Sequence, residues 1–249
     1  MLICGICGYE VFLGVLAKAR SSRFMNNILE FINVGYSESA GFRFGDLNFS
    51  VNAGELVVVC GRVRDEESVL PKLCAGLVSP TNGTIKLFGR NLDGIPTDDL
   101  IKLRSEKMGF VFSKPTLMNN MRVKDNVALP LRYHTPLTEI QITKTVNERL
   151  QMAGILDYAD RFPPELPAGI QKLVSVLRAS VIDPEIVFYD EPIFELDDVA
   201  SVPVLNLIKK INGEKKIASI IFTCQQKSVA DSADRIIRIS AAGDITAAV

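Results

Sequence analysis

The sequence predicts an α/β fold built on a mainly parallel, buried sheet, and three observations carry that prediction. Short apolar strands alternate with helical segments along most of the chain, the pattern of a sheet covered by helices. One strand, Val57-Val58-Val59-Cys60, runs into Gly61, a polar stretch and then a helix-like segment over 70–77. Another, over 186–189, ends in Asp190-Glu191-Pro192.

At 249 residues, with 47% hydrophobic and 23% charged residues, the chain can bury the core of one large domain, or a core with a smaller subdomain. A formal net charge of −1 supplies no basic field for nucleic acid or an anionic bilayer, so nucleic acid is not an expected partner. The five cysteines are Cys4, Cys7, Cys60, Cys74 and Cys224. An odd count, with two of them inside apolar runs, reads as reduced thiols of a cytoplasmic protein. Cys4-x-x-Cys7 lacks the second ligand pair that a zinc site needs. With His134 the single histidine, most histidine-based catalysis is out of consideration.

Residues 1–24 stand apart. The run over 2–16 is apolar but carries Glu10 and three glycines, and it is too short to span a bilayer. Lys18, Arg20 and Arg23 follow it, the reverse of a signal peptide. It reads as an interfacial helix or as a misassigned start before Met25, in either case an extension to a domain over 25–249. Residues 28–34 and 47–51 read as strands around a loop that holds Tyr36. Asn52-Ala53-Gly54-Glu55 is a turn into the strand over 56–60, and Ser79-Pro80-Thr81-Asn82-Gly83 a turn before an alternating strand over 84–88. A helix is predicted over 98–107 and a strand over 108–112. From Lys114 to about Gly169 the chain shows helical periods at 123–131 and 138–153, several prolines and no convincing strand, so an inserted helical subdomain is expected over approximately 114–175. Strand character returns at 186–189 and 218–223. The helix between them, over 202–211, has Pro203 near its start, where a missing N–H is tolerated. Residues 235–239 read as the last strand.

Between the strand that ends at Gly61 and the next helix lies Arg62-Val63-Arg64-Asp65-Glu66-Glu67-Ser68. This is the place of a phosphate-binding loop, in which successive backbone N–H groups surround an anion. Its pattern is Gly, four residues, then Gly-Lys-Ser/Thr. Gly61 and Ser68 stand at the two ends, but Glu66 replaces the second glycine and Glu67 the lysine. A unit-charge pair at about 4 Å is worth about 4 kcal/mol at an effective dielectric of about 20, and exchanging attraction for repulsion approaches twice that. Micromolar affinity is about 8 kcal/mol in all. The exchange is large enough to abolish ordinary binding, with Arg62 and Arg64 offsetting part of it where they turn inward. The simplest structural reading of Glu66 and Glu67 is two acids in a first helical turn, favourable to its dipole. Asp190-Glu191, more than a hundred residues further on, has the form of a Walker B strand end: an aspartate for Mg²⁺ and a glutamate to polarise water. On its own such a pair is more often a solvated strand end.

With these two anchors the chain resembles, from about 28 to 245, the nucleotide-binding subunit of an ABC transporter, most closely the ATPase subunit of Mla/Mce-type phospholipid transporters. The resemblance is carried by Val127-Ala128-Leu129-Pro130-Leu131-Arg132-Tyr133-His134-Thr135, by Phe162-Pro163-Pro164-Glu165-Leu166-Pro167-Ala168-Gly169-Ile170-Gln171, by Leu177-Arg178-Ala179, by Asp183-Pro184-Glu185 and by Asp190-Glu191-Pro192. It implies a P-loop NTPase of ABC-ATPase type, with a mainly parallel core, an antiparallel β edge and an inserted helical subdomain. It implies ATP and Mg²⁺ as cofactors, with a membrane permease subunit and a second nucleotide-binding subunit as partners on the cytoplasmic face of the inner membrane. By the same resemblance, Ser68 and Asp190 would hold Mg²⁺, Glu191 would be the general base, and Tyr36 would stack on adenine. Asp197 falls in the D-loop. Departures cluster at the remaining positions. The signature Leu-Ser-Gly-Gly-Gln/Met appears as Leu166-Pro167-Ala168-Gly169-Ile170, and Pro167 has neither hydroxyl nor backbone N–H. Ser113 stands for the Q-loop glutamine and is too short for its reach. Cys224 stands for the switch histidine and reads more simply as a small buried hydrophobe. The expectation is a subunit with impaired or absent ATP binding and hydrolysis and a structural or regulatory role in lipid transport. The alternative is a working ATPase in which Arg62 or Arg64 replaces the lysine.

Overall fold

Alternating and continuous apolar patterns fold into two different sheets. The computed structural model describes residues 27–37, 43–61, 69–223, 229, 233–239 and 245–248. Strands β1 (Asn27–Ser37) and β2 (Arg43–Asn52) pair antiparallel, and β3 (Leu56–Gly61) follows after a turn at Gly54. Helix α1 (Val69–Cys74) leads to β4 (Asn82–Leu87) and the short β5 (Arg90–Asn91), which complete a four-stranded sheet of order β2-β1-β4-β5. After α2 (Thr97–Lys107) and β6 (Met108–Val111) come the helices α3 (Val123–His134), α4 (Glu139–Met152) and α5 (Ala168–Ser180). The chain then runs through β7 (Ile186–Asp190), α6 (Asp198–Lys215), β8 (Ala218–Thr223), β9 (Arg235–Ile239) and β10 (Ile245–Ala248).

The second sheet has six strands in the order β10-β9-β3-β8-β7-β6. All its pairings are parallel except that of β10, which turns back along β9. Strands β3, β7 and β8 are buried on both faces, and their period of two divides the core. Val58, Val187, Tyr189 and Ile221 face the layer of α3 to α6. Val57, Val59, Phe188 and Ile220 face α1 and the antiparallel sheet, where Phe31 stacks on Phe49 at 4.4 Å. The parallel register brings Cys60 beside Thr223, Phe222 beside Asp190 and Tyr189 beside Val111. The carboxyl ends of β3, β8, β7 and β6 therefore share one edge, where ligands of open α/β sheets bind.

Several expectations change. Tyr36 lies in β1, opposite Phe44, and not in a loop: the register shift between Ile32 and Gly35 lets the strand continue past Val34. The helix expected from residue 202 begins a turn earlier, because the Asp197 carboxylate accepts from the Ala200 N–H at 2.7 Å and caps it. Pro203 is thus an interior residue of α6, tolerated because Val204, Leu205, Ile208 and Ile211 bury the helix against the sheet. Helix α3 likewise passes through Pro130 to His134. Helix α4 starts where expected, at a reciprocal cap of Thr138 and Gln141. Strand β9 is not the last, since β10 extends the edge beyond it. Between β6 and β7 the described residues form α3, α4 and α5 and no strand, and α5 runs on to Ser180 to pack on α6 and β6. Residues 1–24 lie outside the described residues.

Asn126, fully buried on α3, stitches down the segment that enters this helix. Its Oδ1 accepts from Met118 N at 2.8 Å, and its Nδ2 faces the carbonyls of Met118, Met121 and Arg122 at 3.0–3.2 Å. Asn126→Ala strands these groups and should cost about 2–3 kcal/mol, a fall in Tm of roughly 5–10 °C for a chain of this size. Hydrogen exchange should quicken at Met118 while the amides of β3 and β8 keep their protection.

Candidate functional site

The carboxyl edge of the parallel sheet is built from strand ends. β3 stops at Gly61, which is half-buried beside Ile239 of β9. Arg62, Arg64, Glu67 and Ser68 fall in residues 62–68, outside the described residues, as does Cys224. Two strands across, β7 delivers Asp190 half-buried at its last position. The chain then turns sharply: Glu191 has φ +43°, a region that side-chain-bearing residues enter at a cost of about 1–3 kcal/mol. Four groups hold it there. Its N–H donates to the Phe222 carbonyl at 2.9 Å, and its own carbonyl accepts from Phe194 N at 3.0 Å. The Thr223 hydroxyl donates to Glu191 Oε2 at 2.8 Å. The fourth is Lys172 of α5, whose Nζ lies 3.5 Å from the Glu191 carbonyl oxygen. The same ammonium donates to the backbone carbonyl of Ser113, just past β6.

Electrostatics follow from this burial. The Asp190 carboxyl is pushed up to about 6, first by desolvation and then by the neighbouring Glu191 charge, with Lys172 and Lys72 pulling the other way. Burial pushes the Lys172 ammonium down to about 8, against the opposing pull of Glu195, Asp190 and Glu191. The edge thus carries a carboxylate pair and a buried cation that share one polar network.

A second group of expected residues meets where α5 starts. Gly169 is its second residue, and a Cβ there would touch the Ala200 Cβ at 3.4 Å. Asp197 caps the same turn of α6 from which Ala200 projects. Pro167 precedes α5 as its N-cap and provides no side-chain hydrogen bond, and the first turn holds no acid. The start of α5 therefore lacks the capping hydroxyl that the signature serine would add. Tyr36 is elsewhere, half-buried on β1 and packed against the core of the antiparallel sheet.

The structure thus brings together Asp190, Glu191 and the Ser113 backbone, and separately Gly169 and Asp197. Two contributors were not read from the sequence. Thr223, the hydroxyl that orients Glu191, ends a strand of five apolar or small residues. Lys172 is the single charge in the first three turns of α5, a basic residue where the apolar period places the core. That misfit was its signal.

Residues 44–194 match the ABC transporter family model. The chain belongs to the ABC transporter family, as one of its ATP-binding subunits. It is 28% identical over 208 residues to MlaF of Haemophilus influenzae, the ATP-binding protein of an intermembrane phospholipid transport system, covering 84% of this chain and 78% of that one. To the methionine import ATP-binding protein MetN 1 of Acinetobacter baylyi it is 31% identical over 194 residues, 78% of this chain but only 54% of the relative. The dimeric structure of a bacterial ABC transporter cassette superposes with a TM-score of 0.75 at 27% identity, covering 87% of this chain and 96% of that chain. The parallel core, the antiparallel sheet and the helices between β6 and β7 are thus those of an ATP-binding cassette.

The family's cofactors are ATP and Mg²⁺. Among the described residues no group of three or more His, Cys, Asp or Glu side chains could hold a metal unaided. Mg²⁺ itself leans on one or two carboxylates, water and phosphate oxygens. Asp190, a hard oxygen donor at the strand end, fits that role on the protein side.

The raised Asp190 value sets a pH dependence. A carboxyl whose folded value lies above its usual 3.8 favours the folded state below that usual value and loses that contribution as pH rises through about 6. Asp190→Asn removes the titration. The Tm of Asp190→Asn minus that of the native chain should grow as pH rises between these two values and level off above them. A constant difference across thermal melts in that window would contradict the assignment.

Proposed function

We propose that this cassette serves a membrane lipid-transport complex as a structural or regulatory subunit, with ATP binding and hydrolysis impaired or lost at its own site. The observation that carries the reading is the sign of the loop between β3 and α1, where Glu66 and Glu67 stand in place of glycine and lysine. An acid at that point repels the phosphates that the loop would cradle. The start of α5 supports the reading from the other side, because Pro167 removes a hydroxyl that a partner's nucleotide would use. The lipid cargo is taken from the role named for MlaF.

In this reading the subunit pairs with a second nucleotide-binding subunit and docks on a permease at the inner, cytoplasmic face of the membrane. Among the described residues no helix is long and apolar enough to cross a membrane. The docking surface we assign is the groove between α3, β6 and α5, lined by Met108, Phe110, Pro130, Tyr133 and Arg178. Tyr133 is 76% exposed at its rim, an apolar ring with a polar tip of the kind that anchors interfaces. Tyr133→Glu should release the chain from the membrane fraction without changing its Tm, as fractionation and a melt would read.

Calorimetric titration with Mg-ATP tests the nucleotide site, run beside the Glu66→Gly/Glu67→Lys variant. The native chain should show no saturable binding in the micromolar range, and the variant should acquire it. Micromolar binding by the native chain, lost in Arg64→Ala, would instead establish the working ATPase favoured by the retained Asp190 and Glu191. Glu191→Gln is then the control for hydrolysis.

A further inference from the structure

Among the described residues Lys172 is the one lysine withdrawn from water, at 2% exposure. A buried ammonium is stable only when hydrogen-bonded and paired with opposite charge. Two of its three donors are spent on the backbone carbonyls of Ser113 and Glu191. The charges of Glu195, Asp190 and Glu191 act on it through space, and Lys72 of α1 is the other cation acting on Asp190. From the carboxylates' side the position is equally constrained: two adjacent acids at a half-buried strand end require nearby positive charge. A divalent cation is one source of it. Lys172 is a source built into the chain.

We propose that Lys172 acts as an internal cation at the carboxylate end of β7: its ammonium, bonded to the backbone carbonyls of Ser113 and Glu191, partly offsets the charge of the Asp190–Glu191 pair and ties the segment after β6 to the segment after β7 without any metal. It is a positioning residue. The strained turn at Glu191 and the loop at Ser113 share one anchor on α5, so the edge keeps its shape in the ligand-free chain. A divalent ion that approaches Asp190 meets a pair already partly neutralised and gains correspondingly little. The proposal deepens the reading above on its metal side. It is independent of whether nucleotide binds, and its test contains no nucleotide.

Thermal melts of the full chain at matched ionic strength, with and without millimolar MgCl₂, decide it. The native Tm should not move with Mg²⁺. Lys172→Met removes the buried charge that acts on the carboxylates and should lower Tm by about 10 °C, with part of that loss recovered on adding Mg²⁺. Lys172→Met/Asp190→Asn should melt higher than Lys172→Met and show no Mg²⁺ response. The proposal is overturned if Lys172→Met loses stability with no response to Mg²⁺, which marks a packing role alone, or if Mg²⁺ raises the native Tm as much as that of the variant. If Lys172→Met does not fold, folding of the double variant supports the proposal and its failure to fold overturns it. ATP titration of the native chain reports separately on the function proposed above.

Discussion

Parallel pairing of β3, β8, β7 and β6 is the constraint on which the rest of this chain depends. A parallel neighbour cannot be reached by a hairpin, so every return must cross a face of the sheet, and the crossing segments become its covering layers. Both faces of β3, β8 and β7 are then buried, which is why these strands read as unbroken runs such as Val57-Val58-Val59 and Ile220-Ile221-Phe222. The same constraint puts every carboxyl end at one edge. Gly61, Thr223 and Asp190 become neighbours through backbone register before any side chain acts.

Polar groups at that edge have a different task from the strands beneath. Strand ends leave carbonyls and N–H groups that no ladder partner satisfies, and three segments meet there. Glu191 is held at positive φ by a backbone bond to Phe222, a hydroxyl from Thr223 and the Lys172 ammonium. None of these is expensive singly. Together they outweigh a strain of about 1–3 kcal/mol and fix the direction of one carboxylate. The resulting geometry is kept by bonds inside the protein, so the edge has a defined shape before a ligand arrives.

What the sequence made legible follows from how many residues share a signal. The parallel strands and α4 were readable because apolar periodicity is spread over several positions. Single residues misled where tertiary contacts overrode local preference. Pro203 reads as a residue near a helix start, yet it lies inside α6, which begins earlier and continues through it because its flanking apolar residues are buried. Tyr36 looked like a loop residue since glycine and serine flank it, but a register shift against β4 and pairing with β2 keep it in β1. β10 is four residues of weak pattern, and only its pairing with β9 defines it. At the site, Asp190 and Glu191 were legible as a strand-end motif. Thr223 and Lys172 were not, because their meaning lies in contacts made 32 and 59 residues away in sequence.

The separation between scaffold and chemistry has a physical basis. The groups that build the edge are backbone ladders, apolar side chains and the Lys172 anchor, and none of them requires a phosphate. By the family resemblance, the groups that would hold a phosphate lie in the sequence after Gly61 and at the start of α5, where Pro167 and Ala168 are exposed. In the function proposed above, Glu66-Glu67 in place of Gly-Lys changes the electrostatics of a phosphate site by several kcal/mol, while the sheet, its register and its two core layers are built from other residues. A cassette of this kind can lose its affinity for nucleotide without losing the surfaces by which it meets a partner, because those surfaces are set by the covering helices. Selection on assembly would then preserve the apolar periodicity of α3, α5 and α6, and with it the buried position that Lys172 occupies.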